Sequence, residues 1–368
     1  PGGIPRLGTM SQDGVGHRTG LALARSFWAD VVGPLLDRAA PSVPRAVARL
    51  GSGSDVLGLD DEMSRDHDWG LRLQVMVPAD HQARVLAALE EHLPQTYAGL
   101  PTRLTFTGQS AAVLTVDVLS VEDLIDSRLG FDPRAAASAA DWLSLTGQAV
   151  LEVTAGEVFE DGDGQLTALR EALAWYPDDI WHYVVECAWQ RLDQELPLMQ
   201  RAGHRGDDLG SRVIAARLVD VAVHLGFLLC RRWAPYSKWR GTLFRDLPLP
   251  ARTTTDLAEV LRAGDWRARG EHLASALEAL AGQQRDVGLP ASFPACIPFW
   301  DRPYLQVNPE LLDIRGRVRR ESQDEDPGPG TAGADALPAG LGSIEQRTDN
   351  VDLLVVTARR RAAVGCPS

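Results

Sequence analysis

The stretch LGSGSDVLGLDDEMSRDHDWGLRLQV, residues 50–75, sets two glycine-serine pairs ahead of a cluster of five acids within residues 60–68, Asp60, Asp61, Glu62, Asp66 and Asp68. Like charges that close repel each other, so such crowding needs a compensating cation or open solvent. From Asp66 the residues alternate. His67, Trp69, Leu71, Leu73, Val75 and Val77 fall on one face, and Asp66, Asp68, Gly70, Arg72 and Gln74 on the other. Side chains on a strand repeat every two residues, so this pattern predicts a β-strand with Asp66 and Asp68 pointing the same way. Gly51-Ser52 and Gly53-Ser54 predict a turn whose backbone N–H groups, with the Ser52 and Ser54 hydroxyls beside them, suit phosphate oxygens. Asp60, Asp61 and Glu62 show no strand period and read as an exposed loop or an acidic lip. Trp69 is expected in the core, and His67 packs or supports the acids from behind.

Working outward, Leu21, Ala24, Phe27, Trp28, Val31, Val32, Leu35 and Leu36 form the stripe of an amphipathic helix over 19–39, interrupted at Gly33-Pro34. RAVARL predicts a short strand, ADHQARVLAALEEHL a helix, and AAVLTVDVLS at 111–120 a strand carrying Asp117. An acid among Leu114, Val116, Val118 and Leu119 needs a partner or a metal if it is buried. Asp66, Asp68 and Asp117 together make an oxygen-lined set suited to Mg²⁺, a hard cation that favours carboxylates, water and substrate phosphates.

Beyond residue 135 helical periods dominate, over about 165–175, 178–202, 208–233 and 255–285. The expected fold is α+β, a mixed sheet with helices over 13–135 followed by an all-α bundle over 136–320. A flexible Pro/Gly-rich loop over 321–340 and a segment over 341–368 that docks on the body complete the chain. Length supports two domains. The composition, 45% hydrophobic and 24% charged, is that of a folded globular chain, and the net charge of -13 argues against a broad basic face for nucleic acid. Four cysteines without CxxC or Cys/His spacing argue against a zinc site or a disulfide framework. VDVAVHLGFLLC is too short to span a bilayer, and the N-terminus lacks a signal-peptide pattern, with Met10 read as the natural start. The expected location is the cytoplasm.

Leu50-Gly51-Ser52, a spacer of thirteen residues, Asp66-His67-Asp68 and then Asp117 in LTVDVL resemble the nucleotidyltransferase superfamily, the fold shared by DNA polymerase beta and the aminoglycoside nucleotidyltransferases. GSGSDVLGLDDEMSRDHDWG together with APYSKW is similar to a bacterial family described as nucleotidyltransferase-like. Two departures accompany the match: Ser64 is separated from Asp66 by Arg65, and Gly53-Ser54 stands where larger residues are usual. The resemblance implies two Mg²⁺ ions on Asp66, Asp68 and Asp117, with Gly51, Ser52, Gly53 and Ser54 at the phosphates. It further implies transfer of AMP from ATP to the hydroxyl of a small-molecule acceptor. Protein AMP transfer and a non-catalytic nucleotide-binding regulator are the alternatives.

Two further residues enter the expected site. Lys238, the only lysine in the chain, sits between Tyr236 and Trp239 and reads as a phosphate-binding cation or as a surface lysine. Glu186 lies four residues after His182, either as an i to i+4 helix pair or as a general base for the acceptor.

Overall fold

The computed structural model describes residues 19–65, 69–105, 111–321 and 331–366. The fold is α+β: a small mixed sheet with helices, and a set of longer helices. It divides into two units, one of residues 1–126 and 152–171 and the other of residues 127–151 and 172–368. This differs from a single boundary at 135, because the chain leaves the first unit and returns to complete its sheet.

That sheet holds β1 (Ala46–Arg49), β2 (Leu73–Met76), β3 (Val116–Leu119) and β4 (Glu157–Asp161) in the order β3-β2-β1-β4. β2 runs parallel to β3 and antiparallel to β1, and β4 is antiparallel to β1 with a bulge at Val47/Ala48. All four residues of β2 are buried, so the sheet is covered on both faces there. The predicted strand from Asp66 is shorter than expected. Gly70 takes φ +134, and pairing with β3 begins at Leu73, so alternation does not carry back through residues 69–72.

Helix α1 (Gly20–Phe27) continues through one π turn, Trp28–Val32, into α2 (Gly33–Ala39). Pro34 has no N–H to offer the preceding turn, and a π turn is a common way for a helix to absorb such a break. The interruption therefore falls just ahead of Gly33-Pro34. Phe27, Leu36, Val47, Leu73 and Val75, together with Val85 and Leu89 of α3 (Ala79–His92), form the core of this unit.

In the second unit α4 (Asp178–His204) and α5 (Asp208–Leu229) pack together, followed by α6 (Ser237–Phe244). The helix expected over 255–285 is two helices, α7 (Ala251–Arg262) and α8 (Trp266–Asp286). Gly264 interrupts the run, and Asp265 caps α8 by accepting from the Arg267 and Ala268 N–H groups. Among the described residues no helix is long and apolar enough to cross a membrane. Of the loop expected over 321–340, residues 322–330 lie outside the described residues. Its remainder is held in place: Thr331 binds Asp179, and the Tyr183 hydroxyl donates to the Pro338 carbonyl.

The C-terminal segment docks within the second unit, with Ile344 and Arg360 buried. Glu345 accepts from the Gly147 N–H at 2.9 Å and lies 4.0 Å from His224. Burial pushes the His224 imidazole down to about 3, helped by Arg240, and burial pushes the Glu345 carboxyl up. The imidazole is uncharged at neutral pH, so their contact is not an ion pair there.

A histidine kept neutral in the fold takes a proton in the unfolded chain below its ordinary range near 6.5. The stability tied to it is therefore lost as pH falls from about 6.5 towards 3, roughly 2 kcal/mol by pH 5. Glu345, raised in the fold, works in the opposite sense. His224→Gln isolates the imidazole: urea unfolding should show the variant losing about 2 kcal/mol less than wild type between pH 7.5 and 5. Equal losses would remove His224 as the source.

Candidate functional site

The Gly-Ser turn follows directly from β1 and is organised by a residue that the motif does not contain. Arg49 is fully buried, and its guanidinium pairs with Asp55 through two hydrogen bonds of 2.8 Å, with Asp55 itself 3% exposed. The same guanidinium donates to the carbonyls of Leu50 and Ser52. A buried ion pair of this kind is stable only where both partners are satisfied, and here the backbone of residues 50–55 wraps around the pair to do so.

This arrangement accounts for Gly53-Ser54. Gly53 has φ +143, and a Cβ there would come within 2.3 Å of Asp55 Oδ1 and 2.6 Å of Arg49 Nη2. Only glycine fits over the ion pair.

The backbone of the turn divides into used and available donors. Leu50 N–H donates to Gln74 Oε1 at 2.7 Å, and Gly51 N–H donates to the Glu152 carbonyl at 2.8 Å. Gly51 therefore differs from the expected phosphate contact: it takes φ +84 to shape the turn, and its donor is occupied. The N–H groups of Ser52, Gly53 and Ser54 have no hydrogen-bond partner among the described residues, and Ser52 is exposed. Three successive free amides of this kind suit an anion.

Gln74 is the connecting residue. Its side chain is 6% exposed, and while Oε1 accepts from Leu50, Nε2 donates to Asp117 Oδ2 at 3.1 Å. Gln74 and Asp117 stand opposite each other in the parallel β2–β3 register. One buried amide thus ties the glycine-serine turn to the third acid of the motif. Asp117 itself is exposed, so solvent and Gln74 relieve the desolvation expected for an acid among apolar neighbours.

Asp66 and Asp68 lie outside the described residues, and so does His67. Nearby, Asp60 Oδ2 accepts from the Gly20 N–H at 2.8 Å and from the Trp69 indole at 3.1 Å. Asp60 is thereby a structural anchor at the start of α1 rather than part of a solvated lip. Trp69, expected in the core, is half-buried because its indole N–H reaches Asp60. Asp61 accepts from the backbone and hydroxyl of Ser64, closing a local turn, and Glu62 is exposed. Arg72 donates to the Ser52 carbonyl at 3.2 Å.

Two expected site residues belong to the second unit. Lys238 is exposed in the first turn of α6, with Nζ 4.7 Å from the Trp239 ring centroid. Glu186 is 4% exposed, and its partner is Arg315 rather than His182. Glu186 accepts from the Arg315 backbone at 3.0 Å and from its guanidinium at 3.2 and 3.0 Å. With both oxygens engaged, Glu186 is built as a structural carboxylate, so the general-base reading has no support from its surroundings.

Among the described residues no three His, Cys, Asp or Glu side chains gather as a metal site, and two of the three expected ligands fall outside them. Residues 142–240 match a family model described as a domain of unknown function, DUF4037. No curated protein matches the chain. The solved structures include a nucleotidyltransferase-like protein from Exiguobacterium sibiricum 255-15. It is 12% identical, with a TM-score of 0.32, over 84% of this chain and 96% of that one.

Proposed function

We propose that the chain is a Mg²⁺-dependent nucleotidyltransferase that moves AMP from ATP to a hydroxyl of a small-molecule acceptor. The observation that supports this most directly is the Gln74 bridge, which joins the motif's turn to its third acid through a single buried side chain. The free N–H groups of Ser52, Gly53 and Ser54 would hold phosphate oxygens. Asp66, Asp68 and Asp117 would hold the metal.

The donor set fits the ion: all three are carboxylates, and Asp117 is exposed and engaged by only one described hydrogen bond. Bound Mg²⁺ supplies charge stabilisation for the attacking and leaving oxygens of an in-line transfer at phosphorus. The chain's own contribution is positioning. Arg49 and Asp55 fix the turn, Gln74 sets Asp117 against it, and Arg72 steadies the Ser52 carbonyl.

Calorimetry with a non-hydrolysable ATP analogue tests the reading. Wild type should bind the analogue at least tenfold more tightly with Mg²⁺ than without it. The combined Asp66→Ala and Asp68→Ala variant should lose that difference. Unaltered Mg²⁺-dependent binding in the variant would sink the site.

A further inference from the structure

The second unit carries an exposed aromatic surface that the proposed reaction does not use. β5 (Cys296–Pro298) and β6 (Leu305–Val307) form a hairpin with the sequence FWDRPY at its tip. Trp300 is 79% exposed and stacks on Phe299 with centroids 6.0 Å apart and 16° between the planes. It holds φ +59, a conformation that costs energy for a bulky side chain and tends to persist where a function keeps it.

The rings continue beyond the hairpin. Tyr304, half-buried, packs edge-on to His204 and to the buried Trp266, which stack on each other at 5.4 Å and 8° and anchor the tip from beneath. His204 Nδ1 lies 2.9 Å from the Tyr304 hydroxyl, and Gln200 bonds both the N–H and the carbonyl of Leu305. The hairpin is thereby fixed to the end of α4.

Arginines flank this surface in an otherwise acidic chain. Arg201 lies in the last turn of α4 with His204, Arg205 is its C-cap residue, Arg267 lies over the Trp266 ring at 4.3 Å, and Arg302 is on the hairpin tip. All four are exposed, and none has a carboxylate partner among the described residues. The position of Arg267 is the most telling, because the first turn of a helix disfavours a cation. Two carboxylates share the surface: Asp301 on the tip and Asp265, whose Oδ1 is taken up by capping α8. The tip exposes Trp300, Asp301, Arg302 and Pro303, so a flat ring stands beside a cation there, which suits a stacked base with its phosphate.

We propose that this face binds single-stranded nucleic acid, with a base stacking on the open side of Trp300 and phosphates meeting Arg201, Arg205, Arg267 and Arg302. An exposed aromatic platform with cations beside it is how single strands are held without sequence preference. The surface is local, so it is compatible with the chain's net charge of -13.

Fluorescence anisotropy of the full chain with a labelled twelve-nucleotide oligo(U), between 50 and 200 mM salt, tests it. Affinity should fall with salt with a log–log slope of about -2 to -3. Trp300→Ala should weaken binding about tenfold, and Trp300→Phe should restore most of it. Replacing Arg267 and Arg302 together by Ser should reduce the slope by about 1.4. The proposal is overturned by absence of binding at 50 mM salt, by wild-type affinity in Trp300→Ala, or by equal displacement with poly-glutamate, which would mark the face as a site for acidic protein.

Discussion

Asp55→Ala is expected to lower the stability of the first unit by about 3–5 kcal/mol, the usual cost of leaving a fully buried cation without its partner. Arg49 is 0% exposed, and Asp55 provides both of its carboxylate contacts. Its other contacts, the Leu50 and Ser52 carbonyls, cannot neutralise it. Chemical denaturation followed by far-UV circular dichroism measures the loss. A double substitution, Arg49→Met with Asp55→Leu, removes the stranded charge and should recover most of the stability. If Asp55→Ala alone costs less than about 1 kcal/mol, the pair does not hold the turn. The same comparison separates fold from activity, because the double variant would remain folded with its glycine-serine turn no longer braced.

Asp117→Asn is expected to reduce nucleotidyl transfer about a thousandfold, measured as pyrophosphate release from Mg²⁺-ATP with an acceptor panel on which wild type turns over. Asn keeps an oxygen to accept from Gln74 and keeps the side-chain volume, but it loses the negative charge that would help to hold the metal. Several kcal/mol of transition-state stabilisation depend on such a ligand, and each 1.4 kcal/mol is a factor of ten. The melting temperature should change by no more than a degree or two, because Asp117 is exposed and its hydrogen bond survives. Retention of more than a tenth of wild-type turnover would remove Asp117 from the catalytic set.

The elements that periodicity could reach were legible in the sequence. The stripe from Leu21 to Leu36, the run RAVARL and the segment LTVDVL correspond to α1 and α2, β1 and β3. What escaped has identifiable causes. β4, sequence EVFED, has acids at both ends and half-buried residues throughout, as an edge strand does, so no apolar alternation marked it. Gln74 is a neutral amide and belongs to no motif, although its place between Leu73 and Val75 in an apolar run was a signal that a buried polar group needed partners. Arg49 gave the same signal within AVARL, where a charge in a buried strand requires a counter-charge. Its counter-charge, Asp55, stands alone six residues on and is masked in the sequence by the more crowded acids from Asp60 onward. Strand alternation also reached too far back from Leu73, because Gly70 breaks the extended backbone before the ladder begins.

The return of the chain to form β4 has a consequence for how the protein comes off the ribosome. β1 is synthesised early, and the strand that completes its outer side emerges only after residues 127–151, which belong to the other unit, have been made. Until then β1 presents unpaired amides and carbonyls on that side, and pairings so distant in sequence form slowly. The sheet-bearing unit is therefore not a module that finishes before the rest begins. Its closing stitch waits on chain that has already entered the helical half, so an expression fragment cut near residue 135 would be left with an open sheet edge and a tendency to aggregate.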